Sequence, residues 1–265
     1  MASTSAVAIA VEGVRKTYDE GRVTALDAVS VAVPDRQFLA VVGPSGSGKT
    51  TLLQLINRLA EPSDGLVRVE GEDVRSVSPI LLRRRIGYVF QGVGLFPHLT
   101  VAENIAITPR LLGWDRARMA ARVDELLELV RLDRTAHRDR YPHQLSGGER
   151  QRVGVARALA ANPRIVLMDE PFGALDPINR DAIGQDYRRL HDTLGLTTMM
   201  ITHDMLEAVL LADRVAVMQS GRIIAEGTPR DLMTGTHDRY VQELMQTPRR
   251  QAERLSHLMA RGTSP

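Results

Sequence analysis

The chain has 265 residues, no cysteine and a formal net charge of +2 at pH 7, and the lack of cysteine excludes disulfide bridges and thiolate metal sites. Hydrophobic residues make up 43% and charged residues 25%, which is typical of a protein able to bury one large α/β core. So small a net charge gives no reason to expect nucleic acid as a partner. No apolar run approaches the length of a membrane span, and residues 1–10 lack a signal-peptide pattern. We therefore expect a cytoplasmic protein.

The first 71 residues predict an antiparallel sheet beside an α/β core. The earliest pair of strands is expected to form a hairpin, and the next apolar run predicts a buried strand that leads into a helix. Residues 16–21 are interpreted as a turn that carries Tyr18. The predicted strands are 7–14, 26–33, 38–42 and 66–71, and the predicted helix is 51–59.

The middle of the chain has a different pattern. A strand at 86–90 leads directly into Gln91, after which helical periodicity dominates. We therefore predict a helical subdomain of about residues 92–150 inserted into the core. Within it we predict helices at 101–107 and 115–130 and an irregular polar stretch at 131–142.

The last part of the chain returns to an alternation of helices and strands. The predicted helices are 146–161, 177–194 and 204–211, and the predicted strands are 165–168, 197–202, 214–218 and 222–226. We place one domain at residues 1–230 and a short, arginine-rich helical tail at 231–265.

A phosphate-binding loop lies between the strand at 38–42 and the helix at 51–59. Residues Gly43, Pro44, Ser45, Gly46, Ser47, Gly48, Lys49 and Thr50 fit the pattern G-x-x-x-x-G-K-[ST] of a P-loop. Its glycines let backbone N–H groups point at an anion, and the helix N-terminus adds partial positive charge. Lys49 is expected to reach the β- and γ-phosphates of ATP, Thr50 to bind Mg²⁺, and Thr51 to contact the nucleotide. The expected fold class is an α/β P-loop NTPase (RecA-like) core with an antiparallel β subdomain and the inserted helical subdomain.

Two acidic residues end the buried strand at 165–168. In P-loop enzymes such an aspartate, here Asp169, holds the Mg²⁺ shell. Glu170 follows directly, so it is expected to orient the attacking water as general base. The alternative is a strand followed by a solvated acidic turn.

A second anion-binding helix start is predicted at Ser146, Gly147 and Gly148. The alternative is an ordinary serine N-cap with glycines for the turn. Because the chain has only one P-loop, a second anion site suggests a nucleotide shared between two copies.

Taken with the P-loop and the strand that ends in Asp-Glu, the run Leu145-Ser146-Gly147-Gly148-Glu149 resembles the signature of ABC-type ATPases. The resemblance covers residues 7–230. It implies that Tyr18 stacks on adenine, that Gln91 senses Mg²⁺ and the membrane partner, and that Asp176 lies in the loop bridging two subunits. It also implies that His203 is the switch histidine that contacts the γ-phosphate. Each assignment has an alternative: Tyr18 could be an exposed ring on a turn, Gln91 a polar loop residue, and His203 a capping or core histidine.

The resemblance further implies two ATPase subunits that face each other head to tail. ATP would lie between the P-loop of one subunit and the Ser146–Gly148 stretch of the other. Closure and hydrolysis would be passed to a membrane permease that docks near Gln91 and the helical insertion, at the cytoplasmic face of the membrane. A solute-binding protein would serve the permease.

Stretches at 94–98, 103–105, 111–114 and 170–177 resemble importers of quaternary amines such as glycine betaine, choline or carnitine. Importers of amino acids, polyamines, nitrate or sulfonates share much of this pattern and remain an alternative. An ABC ATPase acting on DNA or ribosomes is a rival interpretation, but such proteins carry a long coiled coil between the P-loop and the signature, or two cassettes, and this sequence has neither pattern. Glu170 and His203 argue against a regulatory subunit with little catalysis. An exporter subunit remains an alternative.

Overall fold

The computed structural model describes residues 6–92, 94–235 and 238–246. Its strands are β1 (Val7–Tyr18), β2 (Val23–Pro34), β3 (Phe38–Val42), β4 (Asp64–Val69), β5 (Glu72–Asp73), β6 (Ile86–Val89), β7 (Ile165–Asp169), β8 (Thr197–Thr202), β9 (Arg214–Gln219) and β10 (Arg222–Gly227). Its α-helices are α1 (Lys49–Ile56), α2 (Pro79–Arg85), α3 (Val101–Ile105), α4 (Ile107–Leu111), α5 (Arg116–Leu129), α6 (Arg134–His137), α7 (Gly147–Leu159), α8 (Pro177–Leu194), α9 (Met205–Leu211) and α10 (Pro229–Thr234). Within the described ranges, no helix combines the length and apolar character that crossing a bilayer requires.

The central sheet has six strands in the order β10-β9-β3-β8-β7-β6. All neighbours from β9 to β6 pair in parallel, and β10 pairs with β9 in antiparallel fashion. Because parallel strands end at the same edge of a sheet, the segments that follow β3, β6, β7 and β8 lie close together. These segments contain most of the predicted site residues.

Strand β3 shows how the core is divided. Phe38, Ala40 and Val42 pack into one hydrophobic cluster, with residues of α7, α8 and α9. Leu39 and Val41 pack into a second cluster, with α1 and the antiparallel sheet. Both faces of the strand are buried, which is why its sequence is a continuous apolar run.

The second sheet is antiparallel, with the order β2-β1-β4-β5, and its β1–β2 hairpin agrees with the prediction. The predicted turn at 16–21 was wrong in its first half, because β1 continues to Tyr18. Tyr18 pairs with Val23, and the Thr17 N–H donates to Ser63 Oγ at 3.0 Å. These cross-strand bonds hold the residues extended, so only Asp19–Gly21 form the turn.

The segment between β6 and β7 contains helices α3 to α7 and, among its described residues, no strand. The stretch 131–142 was predicted to be irregular, but it contains α6, whose N-cap Asp133 accepts a hydrogen bond from the Ala136 N–H. Helix α2 was not predicted. Helix α10 ends inside the predicted tail, and residues 239–246 are also helical. Residues 247–265 of the tail lie outside the described residues.

Candidate active site

The loop between β3 and α1 is closely packed against neighbouring backbone. A Cβ at Gly43 would lie 2.0 Å from Met218 O. Gly48 has a φ of +102°, and a Cβ there would lie 2.4 Å from Ala25 O. Only glycine fits these two positions, since a side chain would collide with carbonyl oxygens that cannot move independently of their strands.

Lys49 lies under this loop and is 6% exposed. Its Nζ donates to Gly43 O at 2.8 Å and to Pro44 O at 2.9 Å. Burial lowers the pKa of Lys49, and the carboxylates of Glu170 and Asp169 oppose that shift. The ammonium group is therefore held beside the loop by two backbone carbonyls.

Asp169 is the last residue of β7 and is 9% exposed. Its Oδ1 is buried and has no hydrogen-bond partner within the described part of the chain. Burial and the neighbouring Glu170 raise the pKa of Asp169, whereas a hydrogen bond with Thr50 and the charge of Lys49 lower it. A buried carboxylate oxygen without a partner, beside a threonine hydroxyl, is the kind of oxygen donor set that suits Mg²⁺.

Glu170 follows β7, and it lies beside residues that follow the neighbouring strands β6 and β8. Its Oε2 accepts a hydrogen bond from Gln91 Nε2 at 3.2 Å and lies 3.2 Å from His203 Nδ1. Its backbone has a φ of +43°, and its N–H donates to Ile201 O at 2.9 Å. A left-handed backbone conformation is sterically unfavourable for glutamate. The hydrogen bond to Ile201 O helps to hold the Glu170 backbone in this conformation.

Ser146 is the N-cap of α7. Its Oγ accepts from the Glu149 N–H at 3.2 Å, and its own N–H donates to Glu149 Oε2 at 2.7 Å. Locally, therefore, the serine N-cap interpretation is correct. It does not exclude the anion site, because α7 is a regular 13-residue helix whose first turn begins here.

Packing among the described residues does not require the two glycines after Ser146. A Cβ at Gly147 would lie 3.9 Å from Leu175 Cδ2, and one at Gly148 would lie 3.5 Å from Asn179 Oδ1. These are ordinary van der Waals distances, and two glycines in a first turn lower helix stability. Close approach of a group from outside the chain would explain them.

The remaining predicted residues lie at the borders of this region. Asp176 is the N-cap of α8, and hydrogen bonds from the Asn179 side chain and backbone lower the pKa of Asp176. Tyr18 is 39% exposed, and Lys16 Nζ lies 4.7 Å from the centroid of its ring. Pro44, Ser45 and Gly46 are exposed at the loop tip, Ser47 Oγ is buried without a partner in the described chain, and Thr51 is half-buried in α1.

The structure thus brings one set of predicted residues together and leaves another apart. Contacts or charge interactions connect Lys49, Thr50, Gln91, Asp169, Glu170 and His203. Ser146, Gly147 and Gly148 instead neighbour Glu149 and the start of α8, together with Asp176.

Two polar groups near these sites were missed by the sequence analysis. His137 Nε2 lies 2.9 Å from Glu149 Oε1. Thr202 Oγ1 donates to the buried Glu207 and accepts from the Asp204 N–H at 3.0 Å. Burial raises the pKa of Glu207 to about 7. The only available signal was the position of each glutamate in the first turn of a helix.

The site combines a phosphate-binding loop at the edge of a parallel sheet with a nearby strand, β7, that ends in an aspartate. This combination defines a P-loop nucleoside triphosphatase. Comparison with known proteins makes this class more specific. The family model described as ABC transporter matches residues 26–173. The chain therefore belongs to the ABC transporter family, and the predicted resemblance to ABC ATPases is confirmed.

Curated relatives are similar over most of this chain. The choline transport ATP-binding protein OpuBA of Bacillus subtilis is 45% identical over 257 residues, which is 95% of this chain and 67% of the relative. The glycine betaine uptake system ATP-binding protein YehX of Escherichia coli is 47% identical, over 84% of this chain and 72% of the relative. A sulfate/thiosulfate import ATP-binding protein of Nocardia farcinica is 45% identical, over 89% of this chain and 70% of the relative.

A solved structure supports the fold class. It is a dimeric ATP-binding cassette in a post-hydrolysis state, bound to ADP and Pi. It is 34% identical and has a TM-score of 0.74, covering 83% of this chain and 98% of the solved one. The predicted α/β ABC-type ATPase fold and the predicted enzyme class are confirmed.

Proposed function

We propose that this chain is the ATP-hydrolysing subunit of an importer for a quaternary-amine osmoprotectant such as glycine betaine. The observation that carries the ATPase role is the cluster around Glu170 Oε2, which Gln91 and His203 share beside Lys49 and Asp169. The solute class is supported by the relatives named for choline and glycine betaine transport.

In the proposed reaction, Lys49 exchanges its two carbonyl partners for phosphate oxygens of ATP. Asp169 and Thr50 would hold Mg²⁺, which supplies charge neutralisation at the β- and γ-phosphates. Glu170 orients the attacking water and accepts its proton. His203 and Gln91 fix the Glu170 carboxylate, and His203 contacts the γ-phosphate. Tyr18 stacks on adenine, which requires Lys16 to leave the face of the ring that the adenine occupies.

We also propose that a second copy completes the site. Gly147 and Gly148 leave the start of α7 open to close approach, and a helix N-terminus favours an anion. Ser146, Gly147 and Gly148 of one copy would face the γ-phosphate held by Lys49 of the other. Asp176, at the start of α8, would lie at the same junction.

The permease is proposed to dock beside Gln91, where a groove of about 520 Å³ includes Phe90, Phe96 and Ile107 in its lining. Phe90 is 45% exposed and Phe96 is 44% exposed, so both rings are available to a membrane partner. This contact would place the chain on the cytoplasmic face of the membrane, with the solute-binding protein acting through the permease.

A second candidate solute is sulfate or a related oxyanion, because the Nocardia farcinica relative has the same 45% identity as the choline transport protein, although over 89% rather than 95% of this chain. Uptake assays separate the candidates. Cells lacking this gene would carry either the natural sequence or Glu170→Gln, and uptake of radiolabelled glycine betaine and of sulfate would be measured at high salt. Restoration of glycine betaine uptake by the natural sequence alone supports the proposal. Restoration of sulfate uptake alone replaces the solute, and restoration of neither while the purified chain hydrolyses ATP rejects both solutes.

A further inference from the structure

The proposed phosphate-binding end of α7 carries a negative charge of its own. Glu149 lies in the first turn of this helix and accepts the Ser146 N–H at 2.7 Å. Hydrogen bonds from the Ser146 backbone and from His137 lower the pKa of Glu149 to about 2, so this residue is ionised at any physiological pH. A carboxylate here opposes the partial positive charge that an incoming phosphate needs.

His137 is the side chain that pairs with this carboxylate. Its Nε2 lies 2.9 Å from Glu149 Oε1, and its Nδ1 lies 2.9 Å from Asp133 O. An ionised carboxylate and a backbone carbonyl can only accept hydrogen bonds, so both ring nitrogens must carry a proton to make both bonds. Both bonds can form together only in the imidazolium form of His137.

The charged residues close to His137 and Glu149 in the chain are engaged by other groups. Asp133, at the N-cap of the same helix, accepts hydrogen bonds from Thr135 and Ala136. Arg138 forms an ion pair with Asp124 of α5. On α7, Arg150 donates to Leu145 O at 2.8 Å. Among the described residues, His137 is the basic side chain that contacts Glu149.

We propose that His137 is a positioning residue for the site in which two copies of the chain enclose ATP. Through Glu149, His137 holds Ser146 in place and offsets the negative charge at the start of α7. This inference rests on the proposed function, in which that helix start meets the γ-phosphate bound by a second copy. His137 itself touches no nucleotide. Its loss would weaken the closing of two copies around ATP and leave ATP binding to the P-loop of a single copy unchanged.

The test uses the 265-residue chain with Glu170→Gln, in which bound ATP should persist. ATP-induced dimerisation would be measured by sedimentation velocity, and ATP binding to the monomer by titration at low protein concentration. Adding His137→Gln should raise the ATP concentration for half-maximal dimerisation about five-fold, the size expected for loss of an ion pair between partly exposed side chains. His98→Gln is the matched control, because His98 is an exposed histidine at another point of the helical segment.

A third substitution isolates the role of charge. In a Glu149→Gln background the new amide side chain keeps the capping arrangement but carries no charge, so His137→Gln should then have little effect.

The outcomes distinguish the two proposals. If Glu170→Gln alone binds ATP but never dimerises, the shared site in the proposed function is wrong. If it dimerises and His137→Gln behaves as His98→Gln does, the role of His137 is overturned. Two further results would also overturn it, because they indicate general destabilisation. One is an equal effect of His137→Gln on monomer binding and on dimerisation, and the other is an equal effect with natural Glu149 and with Glu149→Gln.

Discussion

His203 Nδ1 lies 3.2 Å from Glu170 Oε2, although 33 positions of chain separate the two residues. The contact forms because β7 and β8 are parallel neighbours, with Asp169 opposite Ile201. Gln91, beyond the end of β6, donates to the same oxygen. Two side chains thus contact one carboxylate oxygen, which leaves the second oxygen of Glu170 for the proposed contact with water.

Glu170→Gln should abolish most ATP hydrolysis while ATP affinity is retained. The amide keeps the size of the side chain but cannot accept a proton, and loss of a general base lowers rates by roughly 10²–10⁴-fold. Phosphate release and ATP titration on the purified chain would check this. Glu128→Gln, at an exposed position of α5, is the control; a Glu170→Gln variant with normal turnover would reject the assignment.

Lys49→Ala should lose tight ATP binding, because the ammonium group beside Gly43 O and Pro44 O is removed. Lys49→Arg should also bind ATP poorly, since a planar guanidinium does not fit the space of a compact ammonium. Nucleotide titration measures both effects. An ATP affinity equal to that of the natural chain in either variant would contradict this prediction.

Gly48→Ala should destabilise the chain even without nucleotide. The methyl group would lie 2.4 Å from Ala25 O at a φ of +102°, and we expect a loss of about 2–4 kcal/mol in the free energy of unfolding. Gly113→Ala is the matched control: its φ is +75° and a Cβ there meets nothing within 4 Å. It should lose only about 1 kcal/mol. Urea unfolding compares them, and equal losses would show that backbone conformation alone matters.

Glu207 should make stability depend on pH. Burial raises the pKa of this carboxyl group from 4.5 to about 7, so the folded chain holds the proton more tightly than the unfolded chain between these values. The contribution of protonated Glu207 to the free energy of unfolding is complete below pH 4.5 and is lost as pH rises to 7. The free energy of unfolding should fall by up to about 3 kcal/mol over this range.

Glu207→Gln should remove the pH dependence of the free energy of unfolding that Glu207 causes, because the glutamine amide stays neutral at all pH values. Relative to the natural chain, the variant should gain stability as pH rises from 4.5 through 7. Denaturant unfolding at several pH values measures the difference, with Glu128→Gln as the control for a generic charge effect. Parallel pH profiles of Glu207→Gln and the natural chain would show that Glu207 is ionised in the folded state.

Local patterns were sufficient for much of the fold. The P-loop, the buried strands β3, β7 and β8, and the hairpin depend on periodicity and glycine spacing within short windows. Helix α2 escaped prediction, as did α6, which begins with the capping side chain of Asp133. The extension of β1 to Tyr18 also escaped it, because its pairing partners, Val23 in β2 and Ser63 before β4, come later in the chain.

The sequence alone determined that this chain has one phosphate-binding loop, an acid-ended strand and a glycine-rich helix start, because each is encoded by adjacent residues. Only the tertiary structure decided that Glu170, Gln91 and His203 share one oxygen and that His137 faces Glu149. These contacts depend on strand order and helix packing. They arise when separated segments bury their apolar faces together, and no local pattern specifies them.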